Sequence, residues 1–167
     1  AVVVDSSVLI SLAAGEQFHL LRAFYSVIYI PPEVWNEVCN VVKTFGIKEV
    51  KQAETDGWLM VQTPREMSRV SILPFHLQPG ETQALALALE LPNPLLLVDD
   101  AQGRRAATAL NIPYTGTLGV LLRGKTEGKI AQLRAVLELL KERTTFWLSK
   151  VVYEAALKQA GENSPPQ

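Results

Sequence analysis

At 167 residues, with 48% hydrophobic and 20% charged residues and a net charge of −1, the chain has the make-up of one globular domain and is not intrinsically disordered as a whole. No apolar run reaches the ~18 residues that span a bilayer, the amino end lacks a basic flank or small-residue cleavage site, and Cys39 stands alone. Membrane, secretory and disulfide-scaffold classes are therefore set aside, and the cytoplasm is the expected compartment.

Residues 2–4 read as a buried strand closed by Asp5, followed by apolar Leu9, Ile10, Leu12 and Ala13 and then a helix over 18–25. Residues 27–30 form a second strand, and Pro31-Pro32 opens a helix over 33–43, where proline suits the first turn. A helix over 47–55 stops at Asp56-Gly57, and 58–63 reads as a short strand. Residues 64–76 show no period and are expected as a loop. Pro79-Gly80 introduces a helix from Glu81 to Glu90, and strand 95–98 ends at Asp99-Asp100. Helix 101–110, strand 112–115 and helices 118–124, 129–143 and 149–160 follow. Alternating strands and helices predict an α/β domain with a mostly parallel sheet of about five strands, flanked by helices and ending in C-terminal helices. One domain is expected over 1–160, with 161–167 a disordered tail.

Five carboxylates stand out. Asp5, Asp99 and Asp100 fall where apolar strands end, and ligand crevices of open α/β sheets lie at such carboxyl ends. Glu81 points, on a helix wheel, among Ala84, Leu85 and Ala88, opposite Gln83 and Glu90. An unpaired charge there costs several kcal/mol, and its helix has no Lys or Arg, so a bound cation is the economical explanation. Glu37 sits at the edge of the arc formed by Val34, Trp35, Val38 and Val41. Glu33 lies off that arc near the helix start, where a carboxylate suits the dipole. Hard cations such as Mg²⁺ or Mn²⁺ select carboxylate oxygens. His19 and His76 lie away from the strand ends and are read as structural. Charge is uneven along the chain: residues 1–100 carry six Lys and Arg against twelve Asp and Glu, and residues 101–150 carry nine against three. That distribution suits a cation site beside a polyanion track.

In their order and spacing, Val-Val-Val-Asp5-Ser-Ser7, Ile30-Pro-Pro-Glu-Val-Trp-Asn-Glu37, Gly80-Glu81-Thr-Gln-Ala-Leu-Ala and Leu-Leu-Val-Asp99-Asp100 followed by Gly103-Arg-Arg-Ala-Ala together resemble a PIN domain, over about residues 1–160. The segment Gly116-Thr-Leu-Gly-Val-Leu-Leu resembles the VapC-like prokaryotic branch. The resemblance implies a Mg²⁺- or Mn²⁺-dependent endoribonuclease acting as the toxin of a toxin–antitoxin pair. It also implies an RNA substrate, a small antitoxin partner and a homodimer. Carried over by position, Asp5, Glu37, Glu81 and Asp99 or Asp100 would be the metal ligands, with Asp5, Glu81 and Asp99 favoured as catalytic and Asp100 as a helix cap or outer ligand. Ser7 stands where Asn is frequent and keeps a hydroxyl able to hold a carboxylate. Glu81 stands where Asp is commoner. Arg104, Arg105, Arg123 and Lys125 are nominated to hold phosphates without reading sequence, with Ser7 and Thr117 beside the substrate and Thr117 doubling as an N-cap. Tyr114, Trp147 and Tyr153 are expected in the core. The alternative is a catalytically idle PIN-like module that binds nucleic acid or protein.

Overall fold

In the computed structural model, which describes residues 1–42 and 44–162, five parallel strands form one sheet in the order β3-β2-β1-β4-β5. They are β1 (Val2–Val4), β2 (Ile28–Ile30), β3 (Leu59–Val61), β4 (Leu95–Leu97) and β5 (Tyr114–Thr115). The central strands β1 and β4 are short and continuously apolar because helices cover both faces, whereas Met60 and Val61 of β3 and Tyr114 of β5, at the sheet edges, are exposed. Val4, Ile28, Ile30 and Leu97 join one core with α1 (Ser6–Ala14), α8 (Thr117–Thr126) and α9 (Leu133–Arg143). Val3, Leu96 and Val98 join the other with α6 (Pro79–Glu90) and α7 (Ala101–Ala109).

The remaining helices are α2 (His19–Phe24), α3 (Pro32–Cys39), α4 (Ile47–Thr55), α5 (Ser68–Ser71) and α10 (Lys150–Gln159). Four helices differ from expectation, among them α9, which begins at Leu133 and not at 129. α1 begins directly after Asp5, where the sequence shows only an apolar stretch. The helix expected over 33–43 stops at Cys39, which leaves Val41 half exposed rather than on the buried arc; Lys43 lies outside the described residues. The stretch expected as loop contains the single turn α5.

At the carboxyl end, Gly161 and Glu162 are ordered, contrary to a tail beginning at 161. Glu162 accepts the backbone N–H groups of Leu133 and Arg134, at 2.6 and 3.1 Å, and pairs with Lys125 at 3.2 Å. It thereby satisfies the start of α9. Residues 163–167 lie outside the described part.

The order of strands places the site. From β1 the chain winds through β2 to β3 on one side, then crosses to β4 and β5 on the other. The carboxyl ends of β1 and β4 therefore flank the point where the winding reverses, the usual crevice of such sheets. α3 leaves the end of β2 and packs on both α1 and α6, which closes one side of that crevice.

Candidate active site

Asp5 is fixed by the sheet ladder. Its N–H donates to the Leu97 carbonyl at 2.9 Å, and the Val98 N–H donates to the Thr115 carbonyl at 2.9 Å, so the ladder runs one residue past β1 and β4. Successive residues of a strand face opposite ways. Val3 and Val98 face the α6 core, and Val4 and Leu97 face the α8 core. Asp5 and Asp100 thus belong to the α6 side, and Asp99 to the α8 side.

Asp5 is only 3% exposed. The Ser7 hydroxyl donates to its Oδ2 at 3.1 Å, in keeping with the role expected of Ser7, while buried Oδ1 has no partner among the described residues. Burial, then the charges of Glu81 and Glu37, push its carboxyl up from 3.8 to about 7, against the Ser7 and Ser6 hydrogen bonds.

Glu81 is also buried, at the third position of α6. Its Oε2 accepts the Gln78 N–H at 3.0 Å, half of a capping box. The start of the helix thus supplies part of the compensation that the sequence assigned to a cation alone. Burial raises the Glu81 carboxyl, the Gln78 bond lowers it, and Asp100 and Glu37 raise it further. Glu37 reaches across from α3 to the same turn. It accepts the Gly80 N–H at 3.0 Å and the Ser6 hydroxyl. A Cβ on Gly80 would stand 2.5 Å from Glu37 Oε1, so a larger residue there would push the Glu37 carboxylate out of its present place. Ser6, overlooked beside Ser7 in the sequence, is thus one of two donors that hold Glu37.

Asp99 and Asp100 divide differently from expectation. Asp100 Oδ1 accepts the N–H groups of Gln102 and Gly103, at 2.8 and 3.3 Å, and so caps α7 as foreseen. Yet it is also Asp100, through its effect on Glu81, that joins the acidic group. Asp99 instead accepts the Thr117 N–H at 2.8 Å and the Thr117 hydroxyl at 2.6 Å. The N-cap of α8 is Gly116; fully buried Thr117 serves Asp99 and does not cap the helix with its side chain.

The basic residues separate likewise. Arg104 donates through Nε to the Val98 carbonyl at 3.2 Å and lies 3.8 Å from Asp99, beside the acids. Arg105 is exposed on the next position of α7. Arg123 and Lys125 occupy the far turn of α8. Arg123 stacks over Phe24 and pairs with Glu127, and Lys125 binds the Ala131 carbonyl and Glu162. The structure does not bring those two to the acids.

A sequence model of the PIN domain matches residues 1–162. The chain belongs to the PIN-domain family. No curated protein matches it. PIN domains are generally nucleases and typically use divalent metals, and the five-stranded parallel sheet with flanking helices is the PIN-like α/β fold expected from the sequence.

The donors of this PIN domain suit a hard cation: Asp5 Oδ1 is buried and unpartnered, and Glu81 and Glu37 lie close enough to raise its carboxyl. Among the described residues no three or more acids, His or Cys are grouped so as to enclose an ion by themselves. Mg²⁺ does not require such a cage, because it keeps several waters and uses one or two carboxylates. From Asp99, Asp100 and Arg104 a groove of about 640 Å³ runs past Ser6 and Ser7 to the segment between α9 and α10 that carries Trp147. Trp147 is 78% exposed and Tyr114 41% exposed, so neither is the core residue expected from its apolar neighbours. Tyr153 is partly buried and donates its hydroxyl to Glu138 at 2.8 Å. His19 and His76 lie outside the acidic group, Cys39 is buried, and among the described residues no helix is long and apolar enough to cross a membrane.

Proposed function

We propose that this PIN domain is a divalent-metal-dependent endoribonuclease. The observation that carries the reading is Asp5: a buried carboxylate with one open oxygen, at the reversal point of the sheet, amid further acids and beside a groove. Asp5 and Glu81 would hold Mg²⁺ or Mn²⁺ together with bound waters, with Asp100 and Glu37 as outer acids, Glu37 kept in place by Ser6 and Gly80. When bound, the cation neutralises phosphate oxygens and makes an attacking water more basic. The chain's own residues orient the partners. Ser7 fixes Asp5, Thr117 fixes Asp99, and Arg104 with Arg105 offers charge to a phosphate on the α7 side. Asp99 is placed here at the groove wall, where it steadies α8 and Arg104.

Membership of the VapC-like branch, a toxin role, a small antitoxin partner, a homodimer and a cytoplasmic setting belong to the same proposal and rest on the resemblance of the motifs. Arg123 and Lys125 have no part in it, because their side chains are engaged at the far end of α8.

The second reading, an idle binding module, draws on one observation: oxygens of Glu37, Asp99 and Asp100 are already bonded to protein donors. Incubation of purified protein with mixed RNAs separates the two. Cleavage that needs Mn²⁺ or Mg²⁺, stops with chelator and is lost in Asp5→Asn supports the nuclease; binding without cleavage under all metals supports the module.

A further inference from the structure

The segment between α9 and α10 presents an aromatic side chain that packing does not explain. Thr144 ends α9, its hydroxyl donating to the Leu140 carbonyl at 2.8 Å and accepting the Phe146 N–H at 3.0 Å. Phe146 and Leu148 pack against the core, and Trp147 between them faces outward. Alternation along an extended stretch gives that result: two anchored neighbours turn the middle residue to solvent. The largest side chain of the segment is therefore held out by a fixed loop. Trp147 lines the groove that starts at Asp99 and Asp100 on one side, and on the other a second hollow of about 350 Å³ with Lys141, Lys150, Tyr153 and Glu138, where Glu138 accepts the Tyr153 hydroxyl and Lys150 lies 3.9 Å from Glu154.

We propose that Trp147 is a stacking platform for one unpaired base of a nucleic-acid strand whose backbone passes the acidic group, with Lys141 and Lys150 contacting phosphates beyond it. This rests on the nuclease reading and names its substrate as single-stranded at that position. The groove is continuous from Asp99, Asp100 and Arg104 past Ser6 and Ser7 to the indole, which is why a strand, rather than a separate ligand, is the occupant. A ring with open space beside it accepts the face of any base, so the platform itself reads no sequence. A duplex would keep its bases stacked internally and could not use the ring.

The test measures binding of labelled oligouridylate, oligoadenylate and an RNA duplex to the full chain in chelator, so that cleavage does not intervene. Trp147→Ala should weaken single-strand binding roughly tenfold and leave duplex binding unchanged, while Trp147→Phe keeps most of the affinity. Quenching of tryptophan fluorescence by oligouridylate should vanish in Trp147→Ala although Trp35 and Trp58 remain. Equal single-strand affinity of wild type and Trp147→Ala overturns the proposal. So does a wild-type dimer that Trp147→Ala converts to monomer with no direct change in RNA affinity, since a second copy would then cover the ring. If binding depends on Trp147 but no metal supports cleavage, the platform stands and the nuclease reading falls. If cleavage persists with KM untouched by Trp147→Ala, the platform falls and the nuclease stands.

Discussion

Asp5 couples stability to pH and to metal. Its carboxyl titrates near 7 when folded and near 3.8 when unfolded, so between those values the folded state holds more protons. Stability of the metal-free protein should therefore fall as pH rises from about 4 to about 7 and level off above, by on the order of 4 kcal/mol from this group. Asp5→Asn should remove most of that slope and melt above wild type at pH 8, as thermal unfolding across pH would show. A divalent ion must displace the same proton, so Mn²⁺ should raise the melting temperature strongly at pH 8 and weakly at pH 5. Gly80 makes a second prediction. A methyl group there would meet Glu37 Oε1 at 2.5 Å, so Gly80→Ala should push the Glu37 carboxylate off its bonds to Ser6 and the Gly80 N–H and cost about 1 kcal/mol in denaturant unfolding. Asp5 and Glu81 were legible as sites because a carboxylate beside a run of Val or within an Ala-Leu helix contradicts its surroundings. Ser6 was not, because a serine at the start of a helix is ordinary and only the position of α3 shows that it holds Glu37.

Two helix starts share the tandem aspartates. Asp100 serves α7 and Asp99 serves α8, and substitution by Asn treats them differently. Asn is as good an N-cap as Asp, so Asp100→Asn should leave unfolding nearly unchanged while removing a charge from the acidic group. Asp99→Asn replaces charge-assisted bonds to Thr117 by neutral ones and should cost about 1–2 kcal/mol. A stability loss in Asp100→Asn larger than that in Asp99→Asn would reverse the assignment. Strand parity held the answer in principle: Val3, Asp5, Val98 and Asp100 are all on one face once Val4 is paired with Leu97. The sequence lacked that register, which depends on β1 and β4 being neighbours although their matched positions, such as Val4 and Leu97, lie 93 apart in the chain. The helix ends were similarly hidden. α9 begins where Glu162 reaches back to its first N–H groups, and Glu162→Ala should cost about 1 kcal/mol. Nothing local to Leu133 announces that contact.

At the scale of the molecule, the alternation of apolar strands and amphipathic helices was enough to give a parallel α/β sheet, because each period reports its own burial. The substrate track was less legible. Nine Lys and Arg in residues 101–150 suggested a basic face, but a helix distributes its side chains along and around an axis. α7 starts at the acids and brings Arg104 beside them, with Arg105 exposed on the next position, whereas α8 starts at Asp99 and carries Arg123 and Lys125 away. Replacing Arg104 and Arg105 by Ala should weaken RNA binding and lower its salt slope by roughly one to two; the same change at Arg123 and Lys125 should leave the slope intact. The proposed centre joins Asp5 and Glu81, which would hold the cation, to Asp100 beside them, and cuts phosphodiesters. It is tested most directly by Mn²⁺-dependent cleavage rates of Asp5→Asn, Asp100→Asn and the double variant on single-stranded RNA. Each single change should lower the rate by at least about a hundredfold, with little further loss in the double, because either one already disables the same centre. Wild-type protein that cuts no RNA, or an Asp100→Asn variant that cuts at the wild-type rate, would contradict the account.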